Sequence, residues 1–238
     1  MPNGSSSVYY IPPKPDKPSP LSVPPEKTHR LVLTTTSLRN VVLANSTDVL
    51  YYEIVTPRWE RHLTRITRLD PNTRCFDPVA ELLNGDGHGL GSVVVDSKRD
   101  AKKEAHEESK EEHHDHEAKR VVALRFYGSG ELKPVEEFLH IAPGMLKNKH
   151  IDELRAWFRS KDGHKYIWYA DKKRLELMRD DEPARPVVAF HKEKRYMHVL
   201  RMSQYPHLEI HPSVLDSLDY IVVSFLLVER LRRELGLG

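Results

Sequence analysis

From His29 onward the apolar positions fall into short β-branched and aromatic runs, each closed by turn residues, followed near the end by one long run with no polar face. Residues 31–36, 40–44 and 49–56 are such runs, divided by Ser37, Asn45-Ser46 and Pro57, which predicts strand, turn and strand. Residues 62–69 alternate loosely and stop at Asp70-Pro71-Asn72. Strands resume over 121–127, turn at Gly128-Ser129-Gly130, and continue over 132–141. Residues 155–159 and 164–169 flank Asp162-Gly163, a hairpin signal because a tight primed turn needs positive φ at its centre. Turns at Asp171-Lys172-Lys173 and over 180–183 separate further strands over 174–178 and 186–191, with others over 197–202 and 208–211.

The last run differs in kind. Pro212 suits a first helical turn, Asp216 and Asp219 lie toward the positive end of the helix dipole, and Arg230, Arg232 and Arg233 lie toward the negative end. The nine residues from Tyr220 to Val228 carry no charge, and only Ser224 is strongly polar. A helix apolar on every side must be surrounded, yet nine residues span only about 13–14 Å, well short of the roughly 20 residues that cross a bilayer. Ten to twelve closely spaced strands indicate a sandwich or barrel. The all-round apolar helix is most economically placed inside a closed sheet, which predicts a mainly β fold, a closed antiparallel sheet around a buried C-terminal helix.

Two stretches stand outside that pattern. Residues 1–28 form a proline-rich tail, with eight of the seventeen prolines in residues 1–27; it is predicted to be disordered, and Pro12-Pro13-Lys14-Pro15 offers an extended docking segment for a protein partner. Residues 71–119 read as a polar insertion into the domain over 29–236. It starts with a short capped helix between Asp77-Pro78 and Asn84-Gly85, continues through a glycine-rich loop and a short strand at Val93-Val94-Val95, and ends in a charge run. From Lys98 to Arg120 that run holds seven Lys/Arg, eight Asp/Glu and four His. His113, His114 and His116 invite a metal, but neighbouring ligands on a solvated charge run are a poor preformed site, so no metal and no cofactor is predicted.

Composition narrows the classes. A net charge of +2 argues against nucleic acid, so any basic surface must be local. One cysteine, Cys75, excludes an intrachain disulfide framework and fits a reducing compartment. The N-terminus lacks a secretory pattern and no run is long enough to span a membrane, which predicts a cytoplasmic location.

The blocks at 49–57, 162–168, 186–191 and 208–232, the last above all, resemble the tubby-like superfamily (tubby C-terminal domains, phospholipid scramblases and plant LURP-one-related proteins), and within it an uncharacterised fungal family. The resemblance covers roughly 29–70 and 119–235. It implies a barrel of about twelve strands enclosing a hydrophobic C-terminal helix, and a kinship with proteins some of which bind phosphoinositides or other anionic lipids. No ligand residue carries over from it.

Cys75 beside Arg74 has no assignable base, and neither paired carboxylates nor a phosphate-gripping loop stands out, so no enzyme is predicted. The leading expectation is a non-enzymatic module binding anionic phospholipid or phosphoinositide peripherally. Its candidate contacts are two basic clusters between strands: Lys172, Lys173 and Arg174, and Lys192, Lys194 and Arg195, the second followed by Tyr196 and Met197. The alternative is a protein-interaction or scaffold domain using the tail and the charge run.

Overall fold

A computed structural model describes residues 27–47, 49–85, 120–142, 152–193 and 204–238. The proline-rich tail before Lys27, the glycine loop and histidines of the insertion, the strands expected at 93–95 and 197–202, and Lys194, Arg195, Tyr196 and Met197 lie outside the described residues.

The chain builds two antiparallel meanders. The first contains β1 (His29–Leu33), β2 (Val41–Ala44), β3 (Tyr51–Val55), β4 (Leu63–Leu69), β5 (Phe76–Asn84), β6 (Val121–Phe126) and β7 (Lys133–Pro134). The second contains β8 (His140–Ile141), β9 (Glu153–Arg159), β10 (Lys165–Asp171), β11 (Leu175–Arg179), β12 (Val188–His191) and β13 (His207–Ile210). β1 pairs with β13, from His29 opposite Ile210 to Val32 opposite His207, and joins both meanders into one thirteen-stranded sheet with β7 and β8 at its edges. Alternate residues of the strands, such as Tyr52 and Ile54 or Tyr166, Trp168 and Ala170, point inward and are buried.

The sheet curls around α2 (Leu218–Glu234), entered through a 3₁₀ turn over Pro212–Ser217. Helix side chains touch both meanders. Tyr220 stacks on Phe126 of β6 at 4.4 Å between ring centroids, and Phe225 packs on Phe190 of β12 and Trp168 of β10. Residues 221–228 are all buried, as the uncharged run requires, and the burial continues through Arg232. Among the described residues no helix is long and apolar enough to cross a membrane.

The expected closure does not occur: the hydrogen-bonded ladder stops between β7 and β8. These strands are two residues each, Pro134 has no N–H to give, and α1 (Val135–Phe138) occupies the connection where a single strand over 132–141 was expected. Side chains fill this seam instead. Phe138 of α1 packs against Phe126, Phe158 and Tyr220 at centroid distances of 5.2, 5.4 and 6.0 Å.

The short helix expected after Asp77-Pro78 is also corrected, because that segment is β5 and pairs with both β4 and β6. Local cap signals lose to tertiary pairing that buries Val79, Ala80 and Leu82. Ile66 faces Ala80 while Thr67 faces Pro78, so Val79 is the extra residue of a bulge, which accommodates the proline within the sheet. The sheet thus claims residues 76–84 of what read as insertion from about 71. The backbone N–H of Gly85 donates to the Arg120 carbonyl at 2.8 Å, so the two ends of 86–119 leave the sheet side by side.

Candidate anion-binding face at the end of the helix

Each end of the sheet collects a set of loops, and α2 identifies which loops share an end. At its start Ser217 Oγ donates to Asp162 Oδ2 in the β9–β10 turn at 2.5 Å, and Asp219 accepts from Tyr52 and Arg68 at 2.7 and 3.0 Å. Acidic residues are in excess at this end: Asp70, Asp162, Asp180, Asp181, Glu182 and Asp216 sit in its loops, beside exposed Arg74, Lys161 and Arg185. Burial and the Asp219 carboxylate raise the Tyr52 phenol far above its ordinary value.

At the other end the last turns of α2 meet the β1–β2 loop, the end of β5 and the β10–β11 turn. Arg230 donates to Asn84 Oδ1 at 3.0 Å and to the Leu38 carbonyl at 2.7 Å. Asn84 donates in turn to Thr64 Oγ1, which lies 2.8 Å from Thr56 Oγ1. Arg230 is buried without a contacting carboxylate among the described residues. Desolvation and then repulsion from Arg39 lower its guanidinium to about 10. Glu229, 2% exposed, accepts from Arg232 Nε at 2.6 Å and Arg233 Nε at 2.8 Å. Arg232, fully buried, also donates to the carbonyls of Asp171 and Leu237, while Arg233 reaches the Thr36 carbonyl at 2.7 Å.

The described site residues expected from sequence fall at this same end. Lys172, Lys173 and Arg174 form the exposed β10–β11 turn, where Asp171 Oδ1 accepts the backbone N–H groups of Lys173 and Arg174. Lys192 follows β12 and donates its ammonium to the Lys172 carbonyl at 3.0 Å, so this residue of the second cluster meets the first. Arg174 is the weak member, because its Nε lies 2.8 Å from Asp171 and its Nη1 4.0 Å from Glu176. Burial, then Arg232, holds the Lys192 ammonium below its ordinary value, although Glu229 pulls the other way.

Other cations share the face and were not singled out from sequence. The β3–β4 loop, tied to this end by the Thr56 hydroxyl donating to the Arg39 carbonyl, presents exposed Arg58 and Arg61 around Trp59, which is 87% exposed. Arg120 is exposed beside Gly85. Acids are present too, but Glu60, Glu153, Asp171 and Glu229 are engaged by Arg65, Arg155, Arg174 and the Arg232–Arg233 pair, and Asp152, Glu193 and Glu234 also lie there. Burial raises the Glu234 carboxyl, against Arg120 and Arg230, which lower it. The Pro57-Arg58-Trp59 stretch was legible as a turn; which end of the fold it shared with Lys172 was not.

A recess of about 240 Å³ opens on this face, lined by Leu33, Phe190, Lys192, Glu229, Arg232 and Arg233 among others. Elsewhere, Cys75 is exposed on the β4–β5 turn with its Sγ 3.7 Å from the Thr73 carbonyl. His164, Asp180 and Asp181 place ligand atoms within 4.8 Å of one another at the acidic end, all exposed, with Asp181 already paired to Arg179.

One antiparallel sheet wrapped on a buried C-terminal helix, with a cationic face at one end, defines the class of protein. The chain belongs to the family of unknown function DUF6593, whose model matches residues 36–234. No curated protein and no solved structure matches it.

Proposed function

We propose that the protein is a non-enzymatic module that attaches peripherally to an anionic phospholipid surface through the face at the C-terminal end of α2. The observation that carries this reading is the axial asymmetry. Lys172, Lys173, Lys192, Arg58, Arg61 and Arg120 share one end with an almost fully exposed tryptophan, while at the other end acids outnumber the exposed cations Arg74, Lys161 and Arg185. A net charge of +2 attracts little by itself, but charges gathered on one face orient the molecule, each contributing about 1 kcal/mol near an anionic leaflet. Trp59 adds an amphipathic ring suited to the headgroup region. The likeness to the tubby-like superfamily, whose barrel encloses a comparable helix and some of whose members bind anionic lipids, supports the same reading and a cytoplasmic site of action.

Vesicle co-sedimentation tests it. Binding is expected to anionic and not to neutral vesicles, and to fall steeply between 0.1 and 1 M salt as the Debye length shrinks from about 10 to about 3 Å. The pair Lys172→Ser and Lys173→Ser, and separately Trp59→Ala, weaken binding without changing thermal stability. Equal binding to neutral and anionic vesicles, or binding to neither, refutes the reading and favours a scaffold role through a protein partner.

A further inference from the structure

Away from the cationic face, the β10–β11 ladder brings three metal-ligating side chains together at its opposite end. Tyr166 faces Arg179 in that ladder, and the Asp180 N–H continues it by donating to the Lys165 carbonyl at 3.0 Å. One step further the same register sets His164 against Asp181, with Nδ1 3.8 Å from Oδ2. Asp180 joins them, so that one ligand atom from each residue lies within 4.8 Å of the other two. Both turns are braced. Asp162 Oδ1 accepts the His164 N–H at 2.9 Å, and Arg179, whose side chain is only 13% exposed, donates from Nε to Asp181 Oδ1 at 2.5 Å. Arg179 thus engages one oxygen of Asp181 and leaves Oδ2, the one nearer His164, for another partner. Among the described residues neither the His164 ring nor the Asp180 carboxylate makes a hydrogen bond. Neighbouring cations are turned elsewhere: Arg179 Nη2 lies 3.3 Å from Glu182, and Arg185 Nη2 lies 2.8 Å from His211.

We infer that His164, Asp180 and Asp181 form a site for one divalent first-row transition cation of the zinc type, with water completing its coordination. Metal bonds of about 2.0–2.2 Å set neighbouring ligands of a tetrahedral ion about 3.4 Å apart. The 3.8 Å between His164 and Asp181 therefore needs little adjustment. An imidazole among the ligands favours zinc or its neighbours in the row over calcium and magnesium, which take oxygen ligands. Arg179 fills the outer role, holding a ligating carboxylate through the oxygen that the metal does not use. The ladder supplies the rigidity, since two of the ligands stand opposite each other on adjacent strand ends. The site lies at the end of the fold away from Lys172 and Lys192, so it stands or falls independently of the membrane reading.

The experiment uses the full chain carrying His113→Asn, His114→Asn and His116→Asn, because the clustered histidines of the charge run would otherwise compete for zinc. Calorimetric titration with zinc chloride is expected to show one saturable site. His164→Ala and Asp181→Asn should each weaken it at least about tenfold, since even outer partners of a bound metal are worth about 10–100-fold. The substituted side chains are exposed, so both variants should melt as the parent does without metal. Asp180→Asn gives a third reading that leaves the Arg179 pair intact. Titration with paramagnetic cobalt chloride locates the ion: amide signals of residues 162–165 and 180–182 should broaden first, and those of Lys172 and Lys173 should not. Zinc binding that none of the three variants weakens, no binding at all, or broadening centred elsewhere overturns the site. Magnesium binding as tight as zinc binding means diffuse attraction to the acids only and also overturns it.

Discussion

Trp168 on β10 donates its indole N–H to Ser224 Oγ of α2 at 3.0 Å, with both side chains completely buried. Ser224 donates onward to the Ile221 carbonyl at 3.0 Å, so the one strongly polar residue of the uncharged run is satisfied and sets the helix against the sheet. Replacing Ser224 by Ala strands the Trp168 N–H in the core. The expected cost is about 1–3 kcal/mol, the desolvation penalty of an unmade buried bond, read as a lower urea midpoint at unchanged slope. Trp168→Phe together with Ser224→Ala should cost less than the sum of the two changes, because the double variant leaves no donor unpaired.

Phe225 tests the packing of the helix against the second meander. It is fully buried between Trp168 and Phe190, side chains from strands that are not neighbours in the sheet. Phe225→Asp places an unpaired charge there and is expected to abolish cooperative folding, while Phe225→Leu costs a fraction of that. A far-UV and urea comparison of the two variants checks it; a soluble, cooperatively folded Phe225→Asp variant would contradict this enclosure.

Asp162 links the hairpin turn to the start of α2, and this link is pH-sensitive. Burial pushes its carboxyl up, but hydrogen bonds from Ser217, Tyr166 and the His164 amide outweigh that and hold it below the ordinary 3.8. The same burial and the Asp162 bond push the Tyr166 phenol up to about 12. A carboxyl depressed in the folded state contributes stability that is fully present above its unfolded value and is lost as pH falls through the folded one. Asp162→Asn should therefore be less stable than the wild type at pH 7 and pH 5, and the gap should close as pH falls below about 3.8. Urea midpoints across that range supply the measurement.

Removal of residues 86–119 should be thermally inexpensive. Gly85 and Arg120 are already joined by a backbone hydrogen bond, so a two-residue Asn-Gly turn can replace the segment. Shortening a loop returns about 0.6 kcal/mol per halving of length. The melting temperature is expected to stay within a few degrees or rise, as calorimetry of the deleted and full-length proteins will show; a large drop would mean that the segment packs on the sheet.

Local pattern carried the strands a long way. Runs of period two around Tyr52, Tyr166 and Leu208 lie where alternation put them. The hairpin at Asp162-Gly163 forms, though through a longer turn over 160–164 in which Gly163 (φ 81°) and not Asp162 has positive φ, instead of the tight primed turn expected. Burial of residues 221–228 followed from the absence of charge alone, since a helix with no polar face has nothing to show to water. Where local and long-range signals conflicted, short-range reasoning failed. Asp77-Pro78 and Asn84-Gly85 look like helix caps, yet pairing with β4 and β6 outweighs a few tenths of a kcal/mol of propensity per residue.

Composition and spacing thus dictate most elements of this chain, though not β5 or α1, because side-chain period and charge act over a few residues. Tertiary structure decides their assembly and the site. Pro134 and α1 interrupt the ladder at the β7–β8 seam, so the sheet curls without closing. Arg230 and Arg232, which read only as cations near the negative end of a helix, are buried because the loops around that end supply carbonyls and Asn84 to meet them. Lys172 and Lys192 are twenty positions apart, and Trp59 is far from both. Only the antiparallel alternation of strands, which sends successive loops to opposite ends, brings them to one face, and that alternation is a property of the whole sheet rather than of any segment in it.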